Sequence, residues 1–282
     1  LKLSSQLSYR YGVAHSYNRI GITYQVLGIY DSALFYLMNS LEIWEVKKDS
    51  FEIANVLNNI GIVYDEKGMD DQAITYYTNS LRIYESLNSQ PGMAKVYNNL
   101  GIINKKNSQF KKVISYYLKS LKIYEEMNHG FGIAATKGNL GSAYLELKKF
   151  ALSIEYSKQS IEGYKEEGID QFIPYSLENI GLAYRGLNQI VEAKKYHEEA
   201  LKLYKAYGNR KESAFTLGSL SEISMDQSDY SNAKKNAEEA FSIASLIGTL
   251  EELKRASSLL TRSNIYLNNS VESNQSLSNF IS

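Results

Sequence analysis

Asparagine returns at a fixed interval along this chain: Asn59, Asn99, Asn139 and Asn179 lie forty residues apart, with Arg19 before them and Ser219 after them at the same step. Asparagine is a mediocre helix former, so its repetition on one helical surface needs a reason. An amide offers both a donor and an acceptor, and a ladder of amides could hydrogen-bond the backbone of an extended peptide without demanding a particular sequence. The alternative is that the asparagines bond to one another, or to a neighbouring helix, and fix the register of the repeat. Neighbours at the same step would add selectivity. His15, Asn55, Lys95, Tyr175 and Phe215 lie one turn earlier, and Asp65, Glu66, Lys105, Lys106, Glu146 and Arg185 lie farther along the same segments. The lining is mixed in sign, with a basic centre at Lys95, Lys105 and Lys106. Lys105-Lys106 and Lys111-Lys112 also read as plain solvated helix surface.

Other chemistry finds little footing. His15, His129 and His197 are each isolated, with no second histidine or carboxylate standing out at metal-ligand spacing. His197 reads as a satisfied core histidine. No glycine-rich phosphate loop is present, because Gly61 and its equivalents stand alone within helical segments. The absence of cysteine removes disulfides, a thiol nucleophile and thiolate metal sites, and fits a reducing compartment. Lysine plus arginine equals aspartate plus glutamate, at 31 each, which argues against nucleic acid and against an anionic membrane surface as partner. No apolar run approaches the roughly 20 residues that span a bilayer. The chain is therefore read as a cytoplasmic, non-enzymatic protein without cofactor or metal, whose partner is a protein or peptide.

The elements that must position these residues follow from the repeat. The stretch Asn58-Asn59-Ile60-Gly61-Ile62-Val63-Tyr64 comes back as Asn98-Asn99-Leu100-Gly101, Gly138-Asn139-Leu140-Gly141-Ser142-Ala143-Tyr144 and Glu178-Asn179-Ile180-Gly181-Leu182-Ala183-Tyr184, with degraded copies around Gly21 and Ser221. Such a period marks a stacked-repeat protein. Ile53, Val56, Leu57, Ile60 and Tyr64 recur at helical spacing and predict a helix A over about 51–68, closed by Gly68 in a left-handed cap. Asp70 then caps a helix B carrying Ala73, Tyr76, Tyr77, Ser80, Leu81 and Tyr84 on one face. Pro91 opens the next helix A, and Thr249-Leu250-Glu251-Glu252 has the spacing of a capping box. Gly21, Gly61, Gly101, Gly141 and Gly181 sit where helix A meets helix B, letting the two axes approach. The tyrosine column Tyr36, Tyr76, Tyr116, Tyr156 and Tyr196 reads as packing rather than a binding stripe.

The repeat divides the chain into residues 1–10, the end of a helix B from a truncated upstream unit; 11–248, six units of forty residues; and 249–282, a seventh helix A followed by a weak helix B or a linker. Leu1 and Leu3 keep the register of Leu41 and Ile43, and Leu277 and Ile281 that of Tyr77 and Leu81.

Ile or Leu before the glycine, a tyrosine three residues after it and small residues twelve and nineteen after it resemble the tetratricopeptide repeat, over about residues 14 to 248. The step of forty exceeds the family's usual step of about 34 and is similar to its extended-helix members, among them bacterial peptide-sensing regulators and Leu-Gly-Asn-repeat adaptors. Asn104, Ser153, Ser157, Ser221 and Ser224 depart from the signature. The resemblance implies an all-α right-handed superhelical solenoid of antiparallel helix pairs, with the asparagine face lining its concave side. It implies that Asn59, Asn99, Asn139 and Asn179, and these only, bind peptide backbone; Arg19, Asn55, Lys95, Lys105, Tyr175 and Arg185 are read from their positions on the A helices as further lining residues. The expected function is a peptide-binding interaction module of a larger signalling protein. Its rivals are a self-associating module that positions an effector domain, and the helical accessory region of an enzyme.

Overall fold

The computed structural model describes the backbone of residues 2–281 and the side chains of residues 9–105 and 107–268. Among the described residues there are α-helices, one short 3-10 segment and no strand: α1 (Lys2–Val26), α2 (Tyr30–Lys47), α3 (Ser50–Glu66), α4 (Asp70–Ser86), α5 (Gln90–Lys106), α6 (Phe110–Glu126), α7 (Gly130–Glu146), α8 (Phe150–Glu166), a 3-10 turn at Asp170–Phe172, α9 (Ile173–Gly186), α10 (Ile190–Ala206), α11 (Arg210–Asp226), α12 (Tyr230–Ile247) and α13 (Leu250–Ile281). Odd-numbered helices are the A helices of the repeat and even-numbered helices the B helices. The chain forms two compact units, Leu1–Asn139 and Leu140–Ser282, with the boundary inside α7.

Punctuation is more regular than the sequence suggested. A left-handed residue ends each of the turns at Gly28, Lys48, Gly68, Asn88, Ser108, Asn128, Lys148, Gly168, Asn188, Gly208, Ser228 and Gly248, one every twenty residues. Glycine and asparagine tolerate this conformation easily, whereas lysine and serine carry a small cost that the flanking helices must offset. The backbone halves of the turn repeat too: the residue after the left-handed one donates to a carbonyl five back, as Met69 does to Tyr64 at 2.9 Å.

Several caps differ from the reading of the sequence. Met69 occupies the cap of α4 and Asp70 is its first helical residue, where its charge still complements the helix dipole. The Thr249 hydroxyl is buried without a partner, so the capping box does not close. Side-chain caps occur elsewhere: Asp49 accepts from the Glu52 amide at 3.3 Å, Asp229 from the Asn232 amide at 3.1 Å, and His129 Nδ1 from the Gly132 amide at 2.9 Å. Pro91 does stand in the first turn of α5.

At both ends the expected breaks are missing. One helix runs from Lys2 to Val26 where the end of a helix B and a separate helix A were expected, and α13 runs through Asn268 to Ile281 in place of a helix A followed by a turn. Neither place has a glycine at the turn register, and Asn268 keeps helical geometry where Asn188 takes φ 60. The register expected for Leu1, Leu3, Leu277 and Ile281 concerns side chains outside the described residues.

Each hairpin closes on its glycine. A Cβ on Gly21 would lie 2.7 Å from Leu37, on Gly61 2.7 Å from Tyr77, and on Gly101 2.3 Å from Tyr117, so only a missing side chain permits these approaches. Stacked tyrosines clamp the far end of the hairpin, Tyr24 on Tyr36 with centroids 5.5 Å apart, Tyr64 on Tyr76 at 5.3 Å, Tyr144 on Tyr156 at 5.3 Å and Tyr184 on Tyr196 at 5.4 Å. The tyrosine column is thus packing, as its spacing indicated. A serine of helix B finishes the near end: Ser40, Ser80 and Ser120 donate to the carbonyls of Ala14, Ala54 and Ala94 at 2.8, 2.8 and 2.9 Å.

Candidate peptide-binding face of the A helices

In the first unit consecutive A helices touch, α1 with α3 and α3 with α5. Across these contacts the Asn59 amide donates to Asn18 Oδ1 at 3.0 Å, Asn99 to Asn58 at 2.9 Å, and Asn139 to Asn98 at 2.9 Å. Paired asparagines at successive positions let each A helix accept through the first and donate through the second. The ladder therefore fixes helix register in the first unit, the alternative that the sequence left open. Asn59, Asn99 and Asn139 remain half-buried, and each amide keeps a second N–H and its carbonyl lone pairs by its chemistry. Asn179, in the second unit, is only 4% exposed, which closes most of its amide to a ligand.

Asn59 and Lys95 come together in a pocket of about 200 Å³, with Gln25 at its edge and Ile22, Ile62 and Val63 as its apolar wall. Much of the Lys95 side chain meets solvent, and desolvation of the part that lines the pocket pushes its pKa down. Gln25 donates to Glu66 at 2.6 Å. Asn55 is tied back into its hairpin, accepting from the Tyr84 hydroxyl at 2.5 Å and donating to Glu52 at 3.5 Å. His15 sits edge-on to Trp44 at 4.8 Å, beneath the aromatic stack that Tyr11 and Lys47 build. Arg19 is exposed and Lys105 half-buried; neither lines the pocket. The side chain of Lys106 lies outside the described residues.

The corresponding face of the second unit is already occupied by its own charges. Arg185 binds Glu222 through Nη1 and Asp226 through Nε at 3.0 Å and Nη2 at 2.9 Å. Desolvation works against its charge, and Glu222 and Asp226 outweigh it, so its pKa is raised. Arg255 reaches Glu222 at 3.0 Å, the Ser219 hydroxyl at 3.2 Å and the Phe215 carbonyl at 3.1 Å, with its guanidinium 4.5 Å from the Phe215 ring centroid. Arg185 is thus a partner of its own fold. Tyr175 is 41% exposed and open to solvent.

Two buried titratable groups lie behind this network. Glu178 stands in the column that holds Asn18, Asn58 and Asn98 in the first unit. It accepts from Thr216 at 2.7 Å and from Tyr204 at 3.3 Å, and burial pushes its carboxyl up to about 7. His197 is fully buried against Gly181, and burial followed by Arg185 and Arg255 lowers it to about 4. It is a core residue, as expected, but not a satisfied one, since neither ring nitrogen has a partner. Sequence reasoning missed Arg255 and Glu178. For Glu178 a signal existed, a carboxylate in a column of amides. No group of three or more His, Cys, Asp or Glu side chains is placed to hold a metal among the described residues.

With this geometry in place, comparison with known proteins is decisive for family. A tetratricopeptide-repeat model matches residues 12–86, 52–126, 92–166 and 132–206 in overlapping register. The chain belongs to the tetratricopeptide-repeat family. Its fold is the all-α solenoid of antiparallel helix pairs that the forty-residue step indicated. Among solved structures, a signal-transduction ATPase with numerous domains and a tetratricopeptide-repeat sensor, from Pyrococcus horikoshii, is similar at TM-score 0.70 and 16% identity, covering 93% of this chain and 43% of that one. Aspartyl phosphate phosphatase F from Bacillus subtilis is similar at TM-score 0.67 and 15% identity, covering 87% and 64%. The apo form of RapI is similar at TM-score 0.66 and 14% identity, covering 91% and 99%. This chain spans under half of the Pyrococcus protein. No curated protein matches it in sequence. The family builds protein-interaction scaffolds, and no helix among the described residues is long and apolar enough to cross a membrane.

Proposed function

We propose that this tetratricopeptide-repeat chain binds an extended peptide or partner segment along the A-helix layer of its first unit. The observation that carries the reading is the pocket between α1, α3 and α5, where Asn59 and Lys95 converge over Ile22 and Ile62. An apolar wall with a few convergent polar groups is the usual composition of a binding site. The amide supplies backbone-type hydrogen bonds, and the Lys95 ammonium selects a segment bearing a carboxylate. Arg19, Asn99, Asn139 and Lys105 extend this face within the unit, with Asn55 holding Tyr84 behind it. In the second unit Asn179 is buried, Arg185 is held in its own ion network, and Tyr175 alone of the three stays open to a ligand.

The likeness to a protein with a repeat sensor supports a sensory or scaffolding role within a larger signalling protein. The balanced charge favours protein over nucleic acid as partner, and cysteine-free composition suits the cytoplasm.

A displayed library of random peptides selected on the chain tests the reading. Selected sequences should share an acidic residue and should be lost on Lys95→Glu, a change at an exposed position that leaves helicity intact by circular dichroism. Selection of the same peptides by the Lys95→Glu chain would remove this pocket from the function.

A further inference from the structure

The hairpin of α5 and α6, inside the first unit, lacks the tyrosine pair that clamps its neighbours. The A-helix tyrosine three places after the glycine stacks on a B-helix tyrosine at Tyr24–Tyr36, Tyr64–Tyr76, Tyr144–Tyr156 and Tyr184–Tyr196. In α5 that member of the column is Asn104. Its amide turns inward and donates to the Leu100 carbonyl at 2.7 Å, and the residue is buried. The B-helix member, Tyr116, is still present. Its counterpart Tyr36 meets two rings of α1, Tyr24 at 5.5 Å and Tyr17 at 5.8 Å. Tyr116 meets one ring among the described residues, Tyr97 at 6.1 Å, and it is half-buried. A ring that four other hairpins supply from within is therefore missing beside Tyr116.

Tyr116 lines a cleft of about 320 Å³ together with Lys111, Lys112, Ser115 and Lys119. The three lysines are exposed, and no carboxylate pairs with them among the described residues. Lys119 lies 5.2 Å from the Tyr97 ring centroid, so a cation stands next to the stacked pair. The surplus is regional. From residue 86 to residue 124 the chain has seven lysines, no arginine and no aspartate or glutamate, although as a whole it balances 31 basic against 31 acidic residues. Uncompensated cations steer and orient an acidic partner. The absence of arginine, the residue of choice for reading nucleic acid, favours protein carboxylates as the anions. Lys111 and Lys119 lie about 12 Å apart along α6, a span that several carboxylates of a peptide reach and one small aromatic acid does not.

We propose that this face of α6 docks a segment of a partner protein carrying an aromatic side chain among acidic residues, the ring set on Tyr116 and the carboxylates on Lys111, Lys112 and Lys119. The site lies on a B helix, is separate from the A-helix pocket at Lys95, and goes beyond the function proposed for that pocket.

The test uses the full chain and three short synthetic peptides: a tyrosine between runs of glutamate, the same peptide with alanine for the tyrosine, and the tyrosine between runs of lysine. Fluorescence anisotropy should show the first binding about tenfold or more tighter than the other two, and more weakly as salt is raised. Asn104→Tyr supplies the missing ring from within, in the pattern of the four other hairpins, and should weaken that binding about tenfold with helicity retained by circular dichroism. Lys111→Glu with Lys112→Glu, at exposed positions, should weaken it at least as much. Lys95→Glu should leave it unchanged. No preference for the first peptide, or indifference to Asn104→Tyr, overturns the proposal. That indifference together with loss on Lys95→Glu would assign the peptide to the A-helix pocket, so the two sites fail separately. A single-stranded oligonucleotide that binds more tightly than the peptide, and is lost with the double reversal, would overturn it in favour of nucleic acid. Concentration-dependent self-association in sedimentation, lost with Asn104→Tyr, would overturn it in favour of a second copy.

Discussion

The two units share a repeat and differ in what presses on its glycine. In the first unit the residue sixteen places after the glycine is Leu37, Tyr77 or Tyr117, each at most 1% exposed. In the second it is Ser157, His197 or, after Ser221, Ala237. One unit closes its hairpins by apolar contact. The other fills the same space with small and polar groups and leaves Ser153, Ser157 and His197 without hydrogen-bond partners. The second unit compensates from outside, through Arg185, Glu222, Asp226 and Arg255. Such a network is sensitive to pH and salt in a way that a leucine–tyrosine core is not.

Truncating the column should separate the units most sharply. Tyr117→Ala removes a buried ring and should cost about 4 kcal/mol, while Ser157→Ala should change stability by less than about 1 kcal/mol. Chemical denaturation followed by the emission of Trp44, the one tryptophan of the chain and buried at 1%, reads the first unit, with far-UV dichroism reading the whole.

Next in size is pH. Glu178, raised from 4.5 to about 7, contributes stability that is complete below pH 4.5 and lost as pH rises through 7. His197, lowered from 6.5 to about 4, contributes stability present above pH 6.5 and lost as pH falls through 4. The two oppose each other between pH 4.5 and 6.5. Glu178→Gln should therefore match the parent near pH 4.5 and exceed it by about 3 kcal/mol at pH 8, leaving a curve that rises from acid to neutral. A parallel shift of the whole curve would show that Glu178 does not titrate in this range.

A methyl group on the glycine comes third. Gly101→Ala sets a Cβ 2.3 Å from a packed ring and should cost about 2 kcal/mol net of its helix propensity. Gly141→Ala meets the Ser157 hydroxyl, which can turn aside, and should be close to neutral by thermal melting. The smallest effect is a gain: His197→Leu restores the first unit's chemistry and should stabilise by about 1 kcal/mol at pH 7 in urea titration, since it removes two unpartnered nitrogens.

The repeat was legible because its signals are local. Gly61, Tyr64 and Tyr76 announce a hairpin by spacing alone, and the structure places them in contact roles. The role of the asparagines was not legible, because Asn59 finds Asn18 forty-one residues away and only the relative height of two A helices decides whether amides meet. Arg185 looked available for a ligand for the same reason, since Glu222 and Asp226 approach it from another repeat. Thr249 and Asp70 had the right types for caps, yet cap geometry turns on one residue of offset that periodicity does not resolve. The continuity of α13 through Asn268 was hidden by a residue type that serves equally in a helix or a left-handed turn.

The left-handed residues every twenty positions also bear on how such a chain grows. A recombination event that copies one whole forty-residue step delivers a complete hairpin, its glycine, its tyrosine pair and both turns, already in phase with the copies on either side. Half a step keeps the turns but puts B-helix residues where the next A helix must expose its amides, so the new segment has no neighbour to bond. The spacing thus acts as a filter on lineage: lengthening by entire hairpins is structurally silent, and lengthening by single helices is not.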